Sequence, residues 1–230
     1  MRILALETST EWCSVAAGDS ATWLARDELT GPAHSERALA LVAAVLAEAG
    51  WTLGALDGIA FGAGPGSFTG IRVACGLAQG LALGAGLPVV PIPTLAALAH
   101  AAWGANGARR VVACLDARMR EVYVATYERS ESAWREIEAP RVLAPARIVG
   151  PEGGGWSGAG NGFAAYPGLA DALGLARADA AARPTARAVG ELALPRLRAG
   201  EGVAADDALP VYVRHRVALT TAEREAGARL

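Results

Sequence analysis

Apolar and polar positions change places in short blocks from the first residues onward. Residues 2–7 form an apolar run closed by an acid, and Thr8-Ser9-Thr10-Glu11 is a polar turn. Residues 12–17 and 21–25 are apolar again, with Gly18-Asp19-Ser20 between them as a hairpin signal. A polar loop through Gly31-Pro32 follows. The period then changes. Ala38, Leu41, Val42, Val45, Leu46 and Ala49 recur at steps of three and four. That spacing predicts a helix over 35–50 with one apolar stripe, capped by Ser35 and stopped by Gly50. Residues 57–63 read as a strand, 64–70 as a loop, 71–85 as a helix, 87–92 as a strand and 94–102 as a helix. Three strands followed by helix, strand, helix, strand, helix predict a mixed sheet, because parallel neighbours need helical crossovers.

Gly104-Ala105-Asn106-Gly107 reads as a hinge between lobes. Beyond it, 110–115 and 121–127 read as strands around a turn at Asp116-Ala117-Arg118, with 133–139 as a third. Residues 153–162 are glycine-rich, 184–197 read as a helix despite Pro195, and Val211-Tyr212-Val213-Arg214 as a terminal strand or extended tail. The expected division is 1–105 and 106–230, with 210–230 a tail able to return to the first lobe. No repeat of 20–50 residues is visible. From Val73 to Ala108 no side chain is formally charged, a stretch longer than the ~20 residues of a membrane span. Pro88, Pro91 and Pro93 suit a strand and turns instead, so no membrane association is expected.

Composition narrows the function. Of 230 residues, 53% are hydrophobic and 19% charged, enough apolar surface to exclude disorder as the main state. The net charge of −2 is unlike a free-standing nucleic-acid binder. All 21 basic side chains are arginine. Without lysine there is no Walker loop, no Schiff base and no kinase ion pair. Cys13, Cys75 and Cys114 make no paired motif, which fits buried thiols in a reducing cytoplasm. Glu7 comes too early for a signal peptide's apolar region.

Four features can carry chemistry. Glu7, Thr8 and Ser9 end a strand and open a turn, where hydroxyls and backbone N–H groups can face phosphate while the acid holds a cation or water; on chemistry alone a strand with a tight polar turn is the plainer reading. Gly64, Gly66 and Ser67 precede a helix N-terminus, a place favourable to anions, or simply join strand to helix; Thr69 excludes a Rossmann fingerprint. His34 could ligate metal, but Ala38 stands where a second helical ligand would be, and a hydrogen-bonded histidine at a helix start is the plainer reading. Gly76, Gly80 and Gly84 fall on one helix face. Each costs up to ~1 kcal/mol against alanine, which suggests close packing of another backbone, from this chain or a partner. Arg109-Arg110, Arg118/Arg120 and Arg214/Arg216 could contact phosphate or be solvated surface.

Several motifs together resemble the TsaB (YeaZ) family, within the superfamily of actin, sugar kinases and heat-shock ATPases. They are Ile3-Leu4-Ala5-Leu6-Glu7-Thr8-Ser9-Thr10, His34-Ser35, Gly64 to Arg72 (GPGSFTGIR), Pro93-Thr94-Leu95, Asp116-Ala117-Arg118 with Glu121-Val122-Tyr123, and Pro210 to Arg214 (PVYVR). The resemblance implies an α/β fold of two actin/sugar-kinase-like (ribonuclease H-like) lobes. It also implies a part in installing threonylcarbamoyl on the adenosine beside the anticodon of tRNAs reading codons that begin with A. The catalytic paralogue of this family, TsaD, carries an HxxxH metal pair; here it is His34 with Ala38. The resemblance therefore implies a non-catalytic scaffold, a pseudoenzyme without metal. It would be a homodimer when alone, dock on a TsaD-type subunit and be joined by a TsaE-type ATPase, and it would meet tRNA only through that complex. ATP or ADP would bind only in the complex, with Glu7, Thr8, Ser9, Gly64, Gly66 and Ser67 as a residual phosphate loop. Leu41, Val45, Arg72, Gly76, Gly80 and Gly84 are the expected partner surface. The alternatives are a nucleotide-hydrolysing phosphotransferase and a metallopeptidase homologue.

Overall fold

A computed structural model describes residues 1–214 apart from Pro32 and Ser132. The first sheet contains β1 (Ile3–Glu7), β2 (Trp12–Gly18), β3 (Trp23–Leu29), β4 (Gly58–Gly64) and β5 (Val89–Pro93), in the order β3-β2-β1-β4-β5. β1 runs antiparallel to β2 and parallel to β4, and β4 is parallel to β5. The second sheet holds β6 (Arg110–Asp116), β7 (Val122–Arg129), β8 (Trp134–Leu143), β9 (Ser157–Ala159) and β10 (Arg177–Asp179). Read from β8, its order is β8-β7-β6-β9-β10, and each pairing sense repeats the first sheet. The chain thus contains one topology twice without a sequence repeat.

The long helices are α1 (His34–Ala49), α2 (Phe68–Ala85), α3 (Thr94–Asn106) and α6 (Ala186–Arg198); α4 (Gly162–Ala165) and α5 (Leu169–Ala172) are single turns. Each departs slightly from the expected limits. α1 starts at His34 after Ala33, with no side-chain cap, so Ser35 is not its cap. α2 starts three residues early because Ser67 Oγ accepts from the Gly70 N–H. α3 runs through the expected hinge and stops only at Gly107, a left-handed residue. Residues 211–214 are extended without a strand ladder, and residues 215–230, including Arg216, lie outside the described residues.

Apart from the largely exposed edge strand β3, the first sheet is buried on both faces, and successive side chains alternate between them as strand geometry requires. Leu4, Leu6, Val15, Ile59 and Phe61 pack toward α1 and α2. Ile3, Ala5, Ala16, Ala60 and Val90 pack toward α3 and α6. This explains the unbroken apolar run of β1. It also corrects two residues expected at a partner surface. Leu41 and Val45 are 3% and 0% exposed, because the apolar stripe of α1 faces the sheet. α2 is long and apolar enough to match a membrane span, and its Ile71, Ala74, Cys75, Ala78 and Ala82 side is buried in the protein.

The 106–230 stretch does not stay on the second sheet. α6 returns to cover the second face of the first sheet with Val189, Ala193, Leu194 and Leu197, a face that would otherwise leave Ile3, Ala5 and Val90 in water. Gly190 allows this approach, since a Cβ there would strike the Trp23 ring. α3 serves both sheets: Ala97 packs with α6, whereas Leu95, Leu98, Ala99 and Ala102 pack on β6 and β7.

A polar network ties the same elements. The Trp134 indole N–H donates to His100 Nδ1 at 3.0 Å, and His100 Nε2 donates to Glu191 at 2.9 Å. An indole can only donate, so Nδ1 is the acceptor and Nε2 carries the hydrogen. Burial pushes the Glu191 carboxyl up, but hydrogen bonds from His100 and Arg187 outweigh it and hold the group below its ordinary value. His100→Leu removes both bonds and leaves two polar atoms without partners. A loss of about 1–3 kcal/mol is expected, read as a lower thermal midpoint by calorimetry; an unchanged midpoint would show that the network adds nothing.

Candidate functional site

The carboxyl end of β1 and the loop before α2 meet beneath the interlobe cleft, so the structure brings Glu7, Thr8, Ser9, Gly64, Gly66 and Ser67 together. It joins them to one another. The Ser67 N–H donates to the Ser9 carbonyl at 2.7 Å, and Thr8 Oγ1 donates to the Gly70 carbonyl at 2.7 Å. The Gly64 N–H donates to Thr94 Oγ1 at 3.1 Å. Gly66 lies so near Ser9 that a Cβ would sit 2.5 Å from the Ser9 Cβ, and a Cβ on Gly70 would strike the Thr8 carbonyl. The glycines of GPGSFTG thus allow two backbones to touch. The backbone N–H groups of Ser9 and Ser67 that could have cradled a phosphate are already engaged, with Glu7 Oε1 and the Ser9 carbonyl.

Glu7 is 1% exposed, and its carboxylate fills the space that a side chain on Gly62 would occupy. Its Oε1 accepts from the Ser9 N–H at 2.6 Å; Oε2 and the Ser9 hydroxyl have no partner among the described residues. Burial pushes the Glu7 carboxyl up, and hydrogen bonding offsets only part of that. An acid sealed in this way is poorly placed to hold a cation in the cleft. His34 is also engaged at both nitrogens: Nε2 donates to the Thr10 carbonyl and Nδ1 pairs with the Thr30 hydroxyl, each at 2.8 Å. It pins the β1–β2 turn to the start of α1. Ligating a metal would require one of those nitrogens back.

Above this base lies a cleft of about 850 Å³ between the sheets, lined by Ser9 to Glu11, Pro65 to Phe68, Arg72, Asp116 to Arg118, Asn161 and residues 211–214. That volume is in the range of ligand sites. The extended tail runs along it. Ala208 O accepts from Cys75 and Gln79, and Val211 N donates to the Ala63 carbonyl. Arg72 Nε donates to the Tyr212 hydroxyl at 2.8 Å while its guanidinium lies 3.5 Å from the Phe68 ring. Arg72, expected at a partner surface, is therefore an anchor for the tail. Arg214 pairs with Glu121 at 2.7 Å. It reaches the β6–β7 turn, where Arg118, Met119 and Arg120 all have φ of 54° to 60°. Left-handed backbone disfavours such residues, and Ala117 N to Glu121 O with Arg118 N to Asp116 Oδ1 hold the turn. The roles of Thr94, Thr30 and Tyr212 were not visible in the sequence, because each depends on a contact between distant segments.

The glycine ridge of α2 behaves differently from the loop glycines. Gly76, Gly80 and Gly84 are exposed, and a Cβ on any of them would meet nothing within 4 Å. No described element of this chain packs on them.

Two ribonuclease H-like sheets around a cleft define an α/β protein of the actin and sugar-kinase class, here with its basal acid buried. Residues 27–220 match the family model described as TsaD: tRNA N6-adenosine threonylcarbamoyltransferase. The tRNA threonylcarbamoyladenosine biosynthesis protein TsaB of Escherichia coli K12 is 42% identical over 223 residues, covering 95% of this chain and 96% of the relative. TsaB of Haemophilus influenzae is 38% identical over 226 residues, with 94% and 95% covered. The solved structure of YeaZ from Pseudomonas aeruginosa superposes with a TM-score of 0.85 at 41% identity, covering 92% of this chain and 99% of that one. The chain belongs to the TsaB (YeaZ) family.

Two outcomes test this description of the site. A carboxyl raised by burial keeps its proton longer when folded than when unfolded. Stability is therefore lost as pH climbs from the ordinary carboxylate value to the raised one. Glu7→Gln removes that loss, so its stability relative to the parent protein should improve between pH 5 and pH 8 in denaturant titrations; parallel pH curves would contradict the assignment. Gly70→Ala should destabilise the fold by roughly 2 kcal/mol or more, because backbone must move to admit the methyl group, and a midpoint within a degree of the parent's would refute the contact.

Proposed function

We propose that this chain is the accessory subunit of a tRNA threonylcarbamoylation complex, and that it works by docking the outer side of its α1–α2 layer on a TsaD-type catalytic subunit. The observation that carries the reading is the open glycine ridge. Three helical glycines cost up to ~1 kcal/mol each, and no contact within the described chain offsets them. Beside them stand Leu83, 79% exposed, and on α1 the exposed Leu39, Ala40, Ala43 and Ala47. Small residues on both helices let a partner's helices come closer than the usual 8–10 Å between axes. The catalytic subunit shares this fold by the match over 27–220, so a surface that pairs with a second copy is suited to pair with that paralogue as well.

In this reading the protein is a homodimer when alone and exchanges its partner copy for the TsaD-type subunit. A TsaE-type ATPase joins that pair, and tRNA is met in the complex. Glu7 and the loops around it brace the first lobe, and catalysis falls to the partner. Any nucleotide is bound only once the complex has formed. Three free, buried thiols suit a cytoplasmic site of action.

Gly80→Leu separates folding from docking. The isolated chain should keep a cooperative transition and gain up to about 1 kcal/mol, since leucine is the better helix former and the site is open. Light scattering should show loss of both the homodimer and the complex with a TsaD-type subunit. A folded variant that still assembles would refute the interface. Steady ATP turnover by the purified chain, abolished by Glu7→Gln, would favour the phosphotransferase reading instead.

A further inference from the structure

Away from the cleft and the α1–α2 layer, the start of the second sheet concentrates positive charge. A depression of about 460 Å³ is lined by Arg109, Arg110, Glu128, Arg129, Arg177 and the glycine turn 154–155. Glu128 is the one carboxylate in that lining. It is shared by Arg110 at 2.7 Å and Arg135 at 2.6 Å. Arg109, Arg129 and Arg177 have no ion-pair partner among the described residues. Four guanidiniums and one acid in the lining are notable in a protein whose net charge is −2.

The guanidiniums are also held in place. Arg129 lies 3.8 Å over the Trp103 ring and 5.6 Å from Trp134. Arg110 stands 5.7 Å from the Trp156 ring and donates to the Gly154 carbonyl. Arg177 donates to the carbonyl and side chain of Asn106 at the end of α3. Stacking and backbone bonds fix Arg129 and Arg177 without neutralising them, so less rotamer freedom is lost when an anion arrives. Burial and, next, the charge of Arg109 hold the Arg129 guanidinium below its ordinary value; the like charges repel, and an arriving anion relieves that repulsion.

We infer that this arginine depression is a contact site for the phosphate backbone of RNA, and that the accessory subunit thereby holds part of the tRNA within the complex. This rests on the proposed function for the identity of the RNA. Planar guanidinium forks match phosphate geometry, and glycines 154 and 155, with nothing within 4 Å of a Cβ, let a polymer backbone approach closely. A depression of this size suits a stretch of backbone better than one ion. No large exposed apolar side chain lines it, which disfavours a membrane surface.

The test is fluorescence anisotropy of labelled tRNA with the full chain, alone at low salt and with the TsaD-type subunit, for the parent protein, Arg109→Glu and Arg177→Gln. Thermal midpoints establish that each variant is folded. Each substitution should weaken tRNA binding in both settings, on the order of tenfold for the charge reversal, and lower the slope of log K against log salt by about one. Inorganic phosphate should compete only through ionic strength. Identical isotherms and slopes for parent and variants, or no tRNA binding by the parent in either setting, would overturn the inference. So would saturable displacement by low millimolar phosphate, which would make the depression a small-anion site. Light scattering of the same mixtures reads assembly separately: failure to assemble counts against the proposed function, whereas normal assembly with unchanged tRNA binding counts only against this site.

Discussion

The close approach of the Thr8-Ser9 turn to the Gly64–Gly70 loop is the constraint on which the rest of the molecule depends. Three side-chain-free positions make it: Gly62 leaves room for the Glu7 carboxylate, Gly66 for Ser9 and Gly70 for the Thr8 carbonyl. With them in place, α2 can begin directly beside the end of β1, and its Ile71, Ala74, Cys75 and Ala78 fall onto the sheet. The same contact sets the floor of the cleft. His34 then fastens the turn to α1 through Thr10 and Thr30, so both helices of the outer layer are positioned by one polar junction.

The polar groups of that junction largely serve contacts within the chain. The Glu7 acid is sealed at 1% exposure, the Ser9 N–H donates to it, and Thr8 Oγ1 donates to the Gly70 carbonyl. The tail along the cleft adds a second tie, from Arg72 and Tyr212 on one side to Arg214 and Glu121 on the other. Glycine has two uses in the one helix. At Gly70 it permits a contact inside the chain; at Gly76, Gly80 and Gly84 the space above it is empty. The second use lacks compensation within the described chain, and the docking proposed for the outer layer rests on it.

Much of the fold was legible in the sequence because the signals were local. The strand-hairpin start, the three- and four-residue period of α1 and the order of elements through residue 93 follow from side-chain periodicity, and the motifs of 3–10, 64–72 and 210–214 mark the family. What could not be read was non-local. The apolar stripe of α1 signals burial without saying in which direction, so Leu41 and Val45 were expected outside and lie within. α6 looks like the next element of the second lobe; only the uncovered face of the first sheet explains its return. β9 and β10 have three residues each and are too short for a periodic signal. Glu7, Thr8, Ser9, Gly64, Gly66 and Ser67 lie together, but a sequence does not show that the Ser67 N–H donates to the Ser9 carbonyl. The glycine ridge was legible as a ridge, and the structure added that it is open.

The central claim is that partners meet this protein on the outer α1–α2 layer and not in the cleft. Hydrogen–deuterium exchange of the intact chain, measured alone under monomeric dilution and with an excess of a TsaD-type subunit, tests it most directly. The account predicts new protection in peptides spanning 35–48 and 72–85, with peptides spanning 9–11 and 116–121 unchanged. Protection confined to the cleft peptides, with the α1 and α2 peptides exchanging as in the free protein, would contradict it.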